Sequence, residues 1–284
     1  MDRNIIEILN ILSECVIWTG VETMAEPEDR KKKERQLHDL LRGDLADDPR
    51  FTSNKKFYSI SKSNQDYVKR WLSERCKGKR VLDYCCGNGN FTIWLAEAGA
   101  EAYGIDISPV SIENATKEAG HRRVSDKAKF LVMDAEATEF PDNYFDFAVV
   151  NGVLHHLELE KAYRELARIL KPEGEIICTE ALRHNMLIHL YRRMTPHLRT
   201  AWEVEHILGK REIERAKVWF NRVEILKFFH LATIAAVPFR KLPIFEPIRR
   251  SLSLLDEILL RLPFIRWQAW MVVFVLAQPK KSRL

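Results

Sequence analysis

The sequence has few cysteines, and none of them are spaced as in a metal site. Only five of its 284 residues are cysteines, and no two of them form a Cys-x-x-Cys pair. An odd number of cysteines without such a pair argues against a disulfide framework and against a zinc site. We therefore expect no bound metal and a reducing compartment, the cytoplasm.

Long hydrophobic runs are also missing. The longest uninterrupted apolar run covers residues 269–277, well short of the roughly 20 residues that a transmembrane helix needs. The apolar segment 4–18 is interrupted by Glu7 and Glu14. It lacks the basic start and the clean apolar stretch of a secretory signal. This segment predicts an amphipathic helix of a soluble protein.

The chain carries little net charge. A formal charge of +5 is too small to argue for nucleic-acid binding. Residues 183–250 nevertheless contain 14 Lys and Arg against 6 Asp and Glu. Two interpretations of this local excess stay open: a solvated helix face, or attraction to an anionic substrate or membrane surface.

From residue 79 onward, short β-prone runs alternate with amphipathic helical stretches. The runs cover residues 80–84, 101–106, 129–133, 145–151 and 174–180, and a last strand is predicted at 270–277. This alternation is typical of a doubly wound α/β fold with a mostly parallel sheet. We expect a helical N-terminal cap (1–76), a core (77–182), a helical lid (183–220) and closing strands with a helical insertion that complete the sheet (221–284).

The strongest motif lies where the first of these strands ends. Residues 81–90, Val-Leu-Asp-Tyr-Cys-Cys-Gly-Asn-Gly-Asn, predict a strand, a tight turn and a helix N-terminus, where small residues let the backbone approach a ligand. Two later strands end in Asp106 and Asp134, at the edge where open α/β sheets bind ligands.

The identity of the ligand follows from what this motif lacks. Thr92 stands where a dinucleotide fingerprint would have a third Gly or Ala, and the chain has no P-loop motif. The carboxylates of Asp106 and Asp134 disfavour a polyphosphate. They favour a ligand with a ribose, an adenine amino group and no phosphates.

Residues 79–180 resemble the class I S-adenosylmethionine-dependent methyltransferases, specifically the small-molecule group (type 11 domain) that includes the ubiquinone and menaquinone methyltransferases. The resemblance implies a Rossmann-like, seven-stranded sheet, S-adenosylmethionine as cofactor and S-adenosylhomocysteine as product. One departure is Cys85, which stands where the family has its first glycine, and where we expect a small side chain to be tolerated. The motifs that carry the resemblance are residues 81–89, 104–108, 134–135, 145–156 and 166–179.

The same resemblance assigns the residues that bind the cofactor. Asp106 would hold the ribose hydroxyls, Ile107 would pack on the adenine, and Asp134 would accept a hydrogen bond from the adenine amino group. Asp83 would support the loop, and Asn151 would line the sulfonium side. The full set of expected cofactor contacts is Tyr58, Asp83, Cys85, Gly87, Asn88, Gly89, Asp106, Ile107, Asp134, Ala135 and Asn151.

Candidates for a general base follow the fourth and fifth strands. They are His155, His156 and Glu180, each with a structural role as the alternative. A base is needed only when the attacking nucleophile carries a proton. In the expected lid, three residues are candidates for gripping an anionic or polar acceptor, with an internal salt-bridge network as the alternative: Arg193, Arg199 and His206.

Aromatic and aliphatic side chains in the last third of the chain favour an apolar or amphipathic acceptor, such as a lipid, an isoprenoid or a natural product. The alternatives are an RNA or protein methyltransferase and a non-catalytic binding protein of the same fold. We expect a small-molecule acceptor as partner and no specific nucleic acid. Peripheral membrane contact and oligomer formation are left open.

Overall fold

The computed structural model describes residues 27–43, 53–195 and 200–284. A seven-stranded sheet with the order β3-β2-β1-β4-β5-β7-β6 forms its centre. Strands β1 to β5 are parallel, and β7 runs antiparallel to both β5 and β6. The predicted doubly wound, mostly parallel sheet is thereby confirmed. The strands are β1 (Arg80–Tyr84), β2 (Glu101–Asp106), β3 (Ala128–Val132), β4 (Phe145–Asn151), β5 (Leu170–Ala181), β6 (Phe220–Phe229) and β7 (Met271–Pro279).

Helices flank this sheet and extend past its carboxyl edge. Three short 3₁₀ helices also matter for the site, at Ser53–Ser59, Leu154–His156 and Thr233–Phe239. Among the described residues, no helix is long and apolar enough to cross a membrane. The α-helices of the described residues are α1 (Pro27–Arg42), α2 (Lys62–Ser73), α3 (Asn90–Glu97), α4 (Pro109–His121), α5 (Leu159–Ile169), α6 (Met186–Met194), α7 (Ala201–Glu205), α8 (Lys210–Arg215) and α9 (Phe245–Leu259).

The central strands are buried on both faces. In β1, Val81 packs on one side of the sheet with Leu72 of α2 and Ile93 of α3. The next residue, Leu82, packs on the other side with Leu166 of α5. Successive side chains of a strand point to opposite faces, so this strand must be apolar at consecutive positions, as parallel strands covered by helices usually are.

Several predicted boundaries differ from the structure. β5 begins at Leu170, four residues before the predicted start, and the helical lid expected at 183–220 contains three separate α-helices, α6, α7 and α8. The closing region expected from residue 221 opens within β6, which a 3₁₀ helix follows. The predicted helix at 4–18 lies outside the described residues.

The topology places the ends of several strands, and the connections that follow them, at one edge of the sheet. The strand order reverses between β1 and β4, and the carboxyl ends of both lie beside a crevice of the kind that binds ligands in open α/β sheets. Because Ala181 at the end of β5 pairs with Met271 at the start of β7, the connection from β6 to β7 lies at this same edge. Helix α6, which follows β5, starts there too.

Candidate active site

The loop after β1 is held by backbone conformations that side chains seldom adopt. Gly89 has φ = +73°, and a Cβ atom there would lie 2.6 Å from the Cβ of Ala115, so only glycine fits. Cys85 has φ = +61°, in the left-handed region that glycine adopts most easily. The loop therefore retains the conformation that a glycine would give, with a cysteine in its place.

A buried carboxylate supports this loop from below. Asp83 accepts a hydrogen bond of 2.7 Å from the hydroxyl of Thr92 in α3. Burial raises the pKa of Asp83 to about 6, although the bond from Thr92 opposes the shift. Thr92 thus ties the helix to β1, at the position where a dinucleotide-binding loop would have a small residue.

Asp106 joins the β1 loop to the end of β2. Its Oδ2 accepts a bond of 2.8 Å from the backbone N–H of Gly87, and its Oδ1 accepts one of 3.0 Å from the N–H of Ser108. The guanidinium of Arg42, at the end of α1, lies 3.5 Å from Oδ2. Arg42 also donates to the hydroxyl of Ser111 at 2.6 Å.

Asp134, which follows β3, is also covered by α1. Its Oδ2 lies 2.6 Å from the ammonium of Lys31, and its Oδ1 accepts a bond of 2.9 Å from the backbone N–H of Glu136. Burial disfavours the Lys31 ammonium, but its bonds to Asp134 and Glu136 outweigh that cost and raise the pKa of Lys31. Both carboxylates that the motif assigns to the nucleoside thus have a cationic partner from one helix.

One face of α1 explains this arrangement. Arg30, Glu34, His38 and Arg42 follow one another at four-residue steps, which places them on one side of a helix. Arg30 pairs with Glu136 and donates to the backbone carbonyl of His156 at 2.5 Å. Arg30 and Glu34 are buried. The charged side of α1 therefore faces the carboxyl edge of the sheet, although so polar a helix would be expected to face solvent.

Glu34 and His156 form a largely buried ion pair. Nδ1 of His156 lies 3.2 Å from Oε2 of Glu34, and Thr200 donates to Oε1 of Glu34 at 2.5 Å. Burial disfavours both charged groups, but their mutual attraction outweighs this cost. The pKa of Glu34 therefore falls to about 2, and the pKa of His156 rises to about 9. Burial and nearby Arg42 lower the pKa of the adjacent His38 to about 4.

These residues also determine which metal chemistry the site could offer. Ligand atoms of Glu34, His38 and His156 lie within 4.8 Å of one another. The ion pair accounts for the contacts of Glu34 with His156. A metal ion could bind this cluster only by displacing the proton that Glu34 stabilises on His156.

His155 and Glu180 form a second pair with a different geometry. Glu180 is fully buried, and its Oε1 accepts bonds of 2.8 Å from the backbone N–H groups of Val153 and Leu154. Its Oε2 lies 2.9 Å from Nδ1 of His155. Since a carboxylate has no proton to give, Nδ1 donates, and Nε2 of His155 is left as an acceptor.

A cavity of about 420 Å³ lies between α1 and the carboxyl edge of the sheet. Its volume is within the usual range for small-molecule sites, about 300–1,000 Å³. Nine of the residues predicted for the site line it: Tyr58, Cys85, Asp106, Ile107, Asp134, Ala135, Asn151, His155 and His156.

Other predicted residues lie away from the cavity wall. Glu180 lies behind the loop of His155, so the structure places it as a support for that loop and not at the cavity. Four further predicted residues form or support the β1 loop without lining the cavity: Asp83, Gly87, Asn88 and Gly89.

The predicted acceptor residues are likewise displaced. Arg193 is exposed and His206 stacks on Trp202 at 3.6 Å between ring centroids, and neither lines the cavity. Arg192 and Tyr191 line it in place of Arg193, because adjacent residues of a helix point about 100° apart. Arg199 lies outside the described residues.

The sequence analysis missed the residues that α1 contributes to the cavity. The helix was predicted, but not its position over the sheet edge. The four-residue spacing of its polar side chains was the available signal, together with Leu37 and Leu41 on the same side. The missed lining residues of α1 are Arg30, Lys31, Glu34, Leu37, His38, Leu41 and Arg42.

Comparison with known proteins agrees with this fold. Residues 82–178 match the family described as "Methyltransferase domain". The chain is 33% identical over 159 residues to the demethylmenaquinone methyltransferase of Geobacillus stearothermophilus, a match that covers 53% of this chain and 65% of that protein. It is 36% identical over 112 residues to a probable tocopherol O-methyltransferase of Oryza sativa, covering 39% and 31% of the two chains. The chain thus spans less than two thirds of the length of these relatives.

Solved structures share the fold at low sequence identity. The phosphoethanolamine N-methyltransferase 2 of Haemonchus contortus, in complex with S-adenosyl-L-methionine, has a TM-score of 0.58 at 18% identity, covering 86% of this chain and 60% of that one. The geranyl diphosphate C-methyltransferase of Streptomyces coelicolor has a TM-score of 0.54 at 14% identity, covering 75% and 79%. These solved methyltransferases share the fold of this chain, and residues 82–178 are similar in sequence to the methyltransferase-domain family.

Proposed function

We propose that this protein transfers the methyl group of S-adenosylmethionine to a small lipophilic acceptor in the cavity under α1. The observation that carries the proposal is the pair of carboxylates, Asp106 and Asp134, beside the β1 loop on one cavity wall. Asp106 would accept from the ribose hydroxyls and Asp134 from the adenine amino group. Ile107, between them on the same wall, would pack on the adenine.

The residues that line the cavity fit this cofactor when the side chains of Lys31 and Arg42 move off the two carboxylates. S-Adenosylmethionine carries a sulfonium and an ammonium group and no phosphate, so acidic walls suit it. In the described conformation, Lys31 and Arg42 hold the positions on the carboxylates that the nucleoside would take. Cofactor binding would therefore require the cationic end groups of Lys31 and Arg42 to move aside.

The opposite end of the cavity supports an apolar acceptor. Phe57, Tyr191 and Trp270 line this end, and Phe57 makes edge contacts with the other two rings at 4.7 and 5.6 Å between centroids. Ile188 adds an aliphatic side chain and Arg192 a cationic one. Relatives named for sterols, tocopherol and demethylmenaquinone act on acceptors of this lipophilic kind.

The mechanism that this arrangement supports is in-line attack with a histidine base. The bound cofactor supplies an electrophilic methyl group, whose bond to sulfur breaks as the acceptor forms its own bond to the methyl carbon. The cavity orients the acceptor and excludes water, and orientation supplies much of the rate in such a reaction. For a hydroxyl acceptor, Nε2 of His155 would take the proton, with Glu180 fixing the ring. His156 is a poor base at neutral pH because its raised pKa keeps it protonated.

A label-transfer assay tests the proposal. The protein is incubated with methyl-labelled S-adenosylmethionine and, separately, with a prenylated quinol, a phenolic isoprenoid, bulk RNA and a protein mixture. We expect label in the organic extract of a lipophilic acceptor, with little in RNA or protein. Label confined to RNA or protein would replace the proposal with the macromolecular alternative. Cofactor binding without transfer to any acceptor would favour a non-catalytic binding protein.

A further inference from the structure

Helix α9 has an apolar face that the described protein leaves uncovered. Leu254, Ile258 and Leu262 follow one another at four-residue steps, and Leu254 and Ile258 are 69% and 65% exposed. Phe264, just beyond the helix, is 92% exposed. Four-residue spacing places Leu254 and Ile258 on one side of α9. Leu262 and Phe264 continue this exposed apolar surface in the turn that follows the helix.

Helix α6 has a second stripe of the same kind. Met186, Leu190 and Met194 also follow at four-residue steps, with Leu187 beside them. All four are exposed, Met186 to 81%. Single exposed apolar residues are common on soluble proteins, but contiguous apolar surface on a monomer usually marks an interaction site.

The two stripes lie on neighbouring helices. Ile188 on the inner side of α6 and Phe245, Ile248 and Leu252 on the inner side of α9 belong to one small hydrophobic cluster. Phe57 packs against that cluster and also lines the cavity. The two helices thus pack on one cluster that adjoins the apolar end of the cavity through Phe57 and Ile188. We call the exposed apolar side chains of α6, of α9 and of the turn after α9 the docking face.

The charge around the docking face is positive. Arg250 lies four residues before Leu254 and Arg261 lies seven after it, so both flank the α9 stripe, and both are exposed. Arg240 and Lys241 precede the helix and are exposed too. A cationic border beside an apolar stripe is the pattern of helices that lie in the interface of anionic membranes.

The acidic residues of α9 do little to offset this charge. Glu246 is paired with Arg249 at 2.8 Å, and Glu257 with Lys227 at 2.5 Å. Asp256 is buried and accepts bonds from the backbone N–H groups of Ala232 and Thr233. The net field at the docking face is therefore that of the arginines and the lysine, which an anionic surface complements.

We propose that the docking face binds the surface of a lipid bilayer that contains anionic lipids. The apolar side chains of α6 and α9 would enter the headgroup layer, and Arg250 and Arg261 would contact the lipid phosphates. This orientation would turn the apolar end of the cavity toward the bilayer, so that a lipophilic acceptor could enter without crossing water. The proposal does not rest on methyl transfer, since binding is measured without cofactor.

Vesicle co-sedimentation of the full chain tests the proposal. Vesicles of phosphatidylcholine alone are compared with vesicles that also contain phosphatidylglycerol. We expect binding to the anionic vesicles, weakened by salt. The triple variant Leu254→Glu, Ile258→Glu, Phe264→Glu should lower the partition coefficient at least roughly tenfold, because apolar contacts are replaced by repelled charges. Replacement of Arg250 and Arg261 by Ala should lower it by a similar factor on anionic vesicles only.

A matched control separates this face from general apolar exposure. Val218 is exposed too, but it precedes β6 at the opposite edge of the sheet, so Val218→Glu should bind as the wild type does. Circular dichroism checks that every variant is folded. Equal vesicle binding by wild type and triple variant would overturn the proposal, as would no binding to anionic vesicles. A concentration-dependent dimer that the triple variant abolishes, without vesicle binding, would show that a second copy covers the face.

Discussion

The ammonium of Lys31 lies 2.6 Å from the carboxylate of Asp134. We propose this carboxylate as the acceptor for the adenine amino group, so a side chain of α1 stands where the proposed cofactor contact would form. Arg42 stands in the same relation to Asp106, at 3.5 Å. Helix α1 is thus both a wall of the cavity and a competitor for its acidic residues.

Removal of the Lys31 ammonium should tighten cofactor binding. In Lys31→Met, Asp134 no longer has to break an ion pair before it accepts from adenine. A partly exposed ion pair contributes about 0.2–1 kcal/mol, so the dissociation constant for S-adenosylmethionine should fall roughly 1.4- to 5-fold. Isothermal titration calorimetry measures it. Lys33→Met is the matched control, because Lys33 on the same helix pairs with exposed Asp29 and should leave the affinity unchanged. Weaker binding by Lys31→Met would show that Lys31 assists the cofactor.

The ion pair of Glu34 and His156 should give the folding free energy a distinct pH dependence. The pKa of His156 rises from 6.5 to about 9, so its stabilising contribution is complete below pH 6.5 and is lost as the pH rises through 9. The pKa of Glu34 falls from 4.5 to about 2, so its contribution is complete above pH 4.5 and is lost on acidification toward pH 2. Glu203 and Glu180 also face His156 and favour its charged form, whereas His38 stays neutral above pH 4.

Urea unfolding at several pH values measures this effect. Between pH 6.5 and 9 the wild type should lose on the order of 2 kcal/mol that His156→Gln does not lose. His121→Gln is the control, because His121 is exposed on α4, and it should follow the wild type. Parallel pH profiles of wild type and His156→Gln would contradict the ion pair.

Glu180→Gln should slow methyl transfer to a hydroxyl acceptor without weakening cofactor binding. A glutamine amide would donate to Nδ1 of His155 and move the ring proton to Nε2, where it blocks base catalysis. We expect kcat to fall on the order of 100-fold. The double variant with His155→Gln should be no slower than either single variant, because the two residues act as a unit.

Glu175→Gln, on the same strand, is the control for this experiment. Glu175 pairs with Arg222 in the middle of β5, five residues from Glu180, so its loss should leave kcat unchanged. An unchanged kcat in Glu180→Gln would remove His155 from the mechanism.

Substitution by glycine should have different effects on the stability of the protein at Cys85 and at Cys86. At φ = +61° a residue with a Cβ costs about 1 kcal/mol, so Cys85→Gly should leave the protein as stable or stabilise it slightly. Cys86 is not in the left-handed region and packs near Gly104, so Cys86→Gly should destabilise. Cys85→Val should destabilise most, because branched side chains are disfavoured at positive φ. Urea midpoints rank the three variants, and a Cys85→Gly protein less stable than Cys86→Gly would contradict the strain.

The thiols themselves should be unreactive. Burial raises the pKa of Cys85 and of Cys86 well above the usual value, and nearby Asp83 and Asp106 add to the effect. Reactive cysteines need a lowered pKa. We therefore expect these two side chains to act by size and shape.

Much of the core could be predicted from sequence because its signals are local. The strand at 80–84, the turn at Cys85–Gly89 and the carboxylate of Asp106 all follow from residue types over short spans. Burial of both faces of β1 also follows, since Val81 and Leu82 are apolar in succession. These features depend on strand period and turn chemistry, which a single sequence displays.

The position of α1 depends on tertiary contacts that no local pattern encodes. Lys31 meets Asp134 across 103 residues of sequence, and propensity alone describes α1 as a solvated helix. The choice between Arg192 and Arg193 failed for a related reason. α6 has exposed apolar residues on one side and a buried arginine on the other. Hydrophobicity therefore does not indicate which side of α6 faces the interior of the protein.

The central claim is that Asp106 and the β1 loop bind S-adenosylmethionine, and calorimetric titration of wild type beside Asp106→Asn tests it most directly. Loss of a charged hydrogen-bond acceptor should weaken binding roughly 10- to 100-fold. Asp126→Asn, at an exposed position, should bind as the wild type does. S-Adenosylhomocysteine should follow the same order. Equal affinity of wild type and Asp106→Asn, or no binding by the folded wild type, would contradict the account.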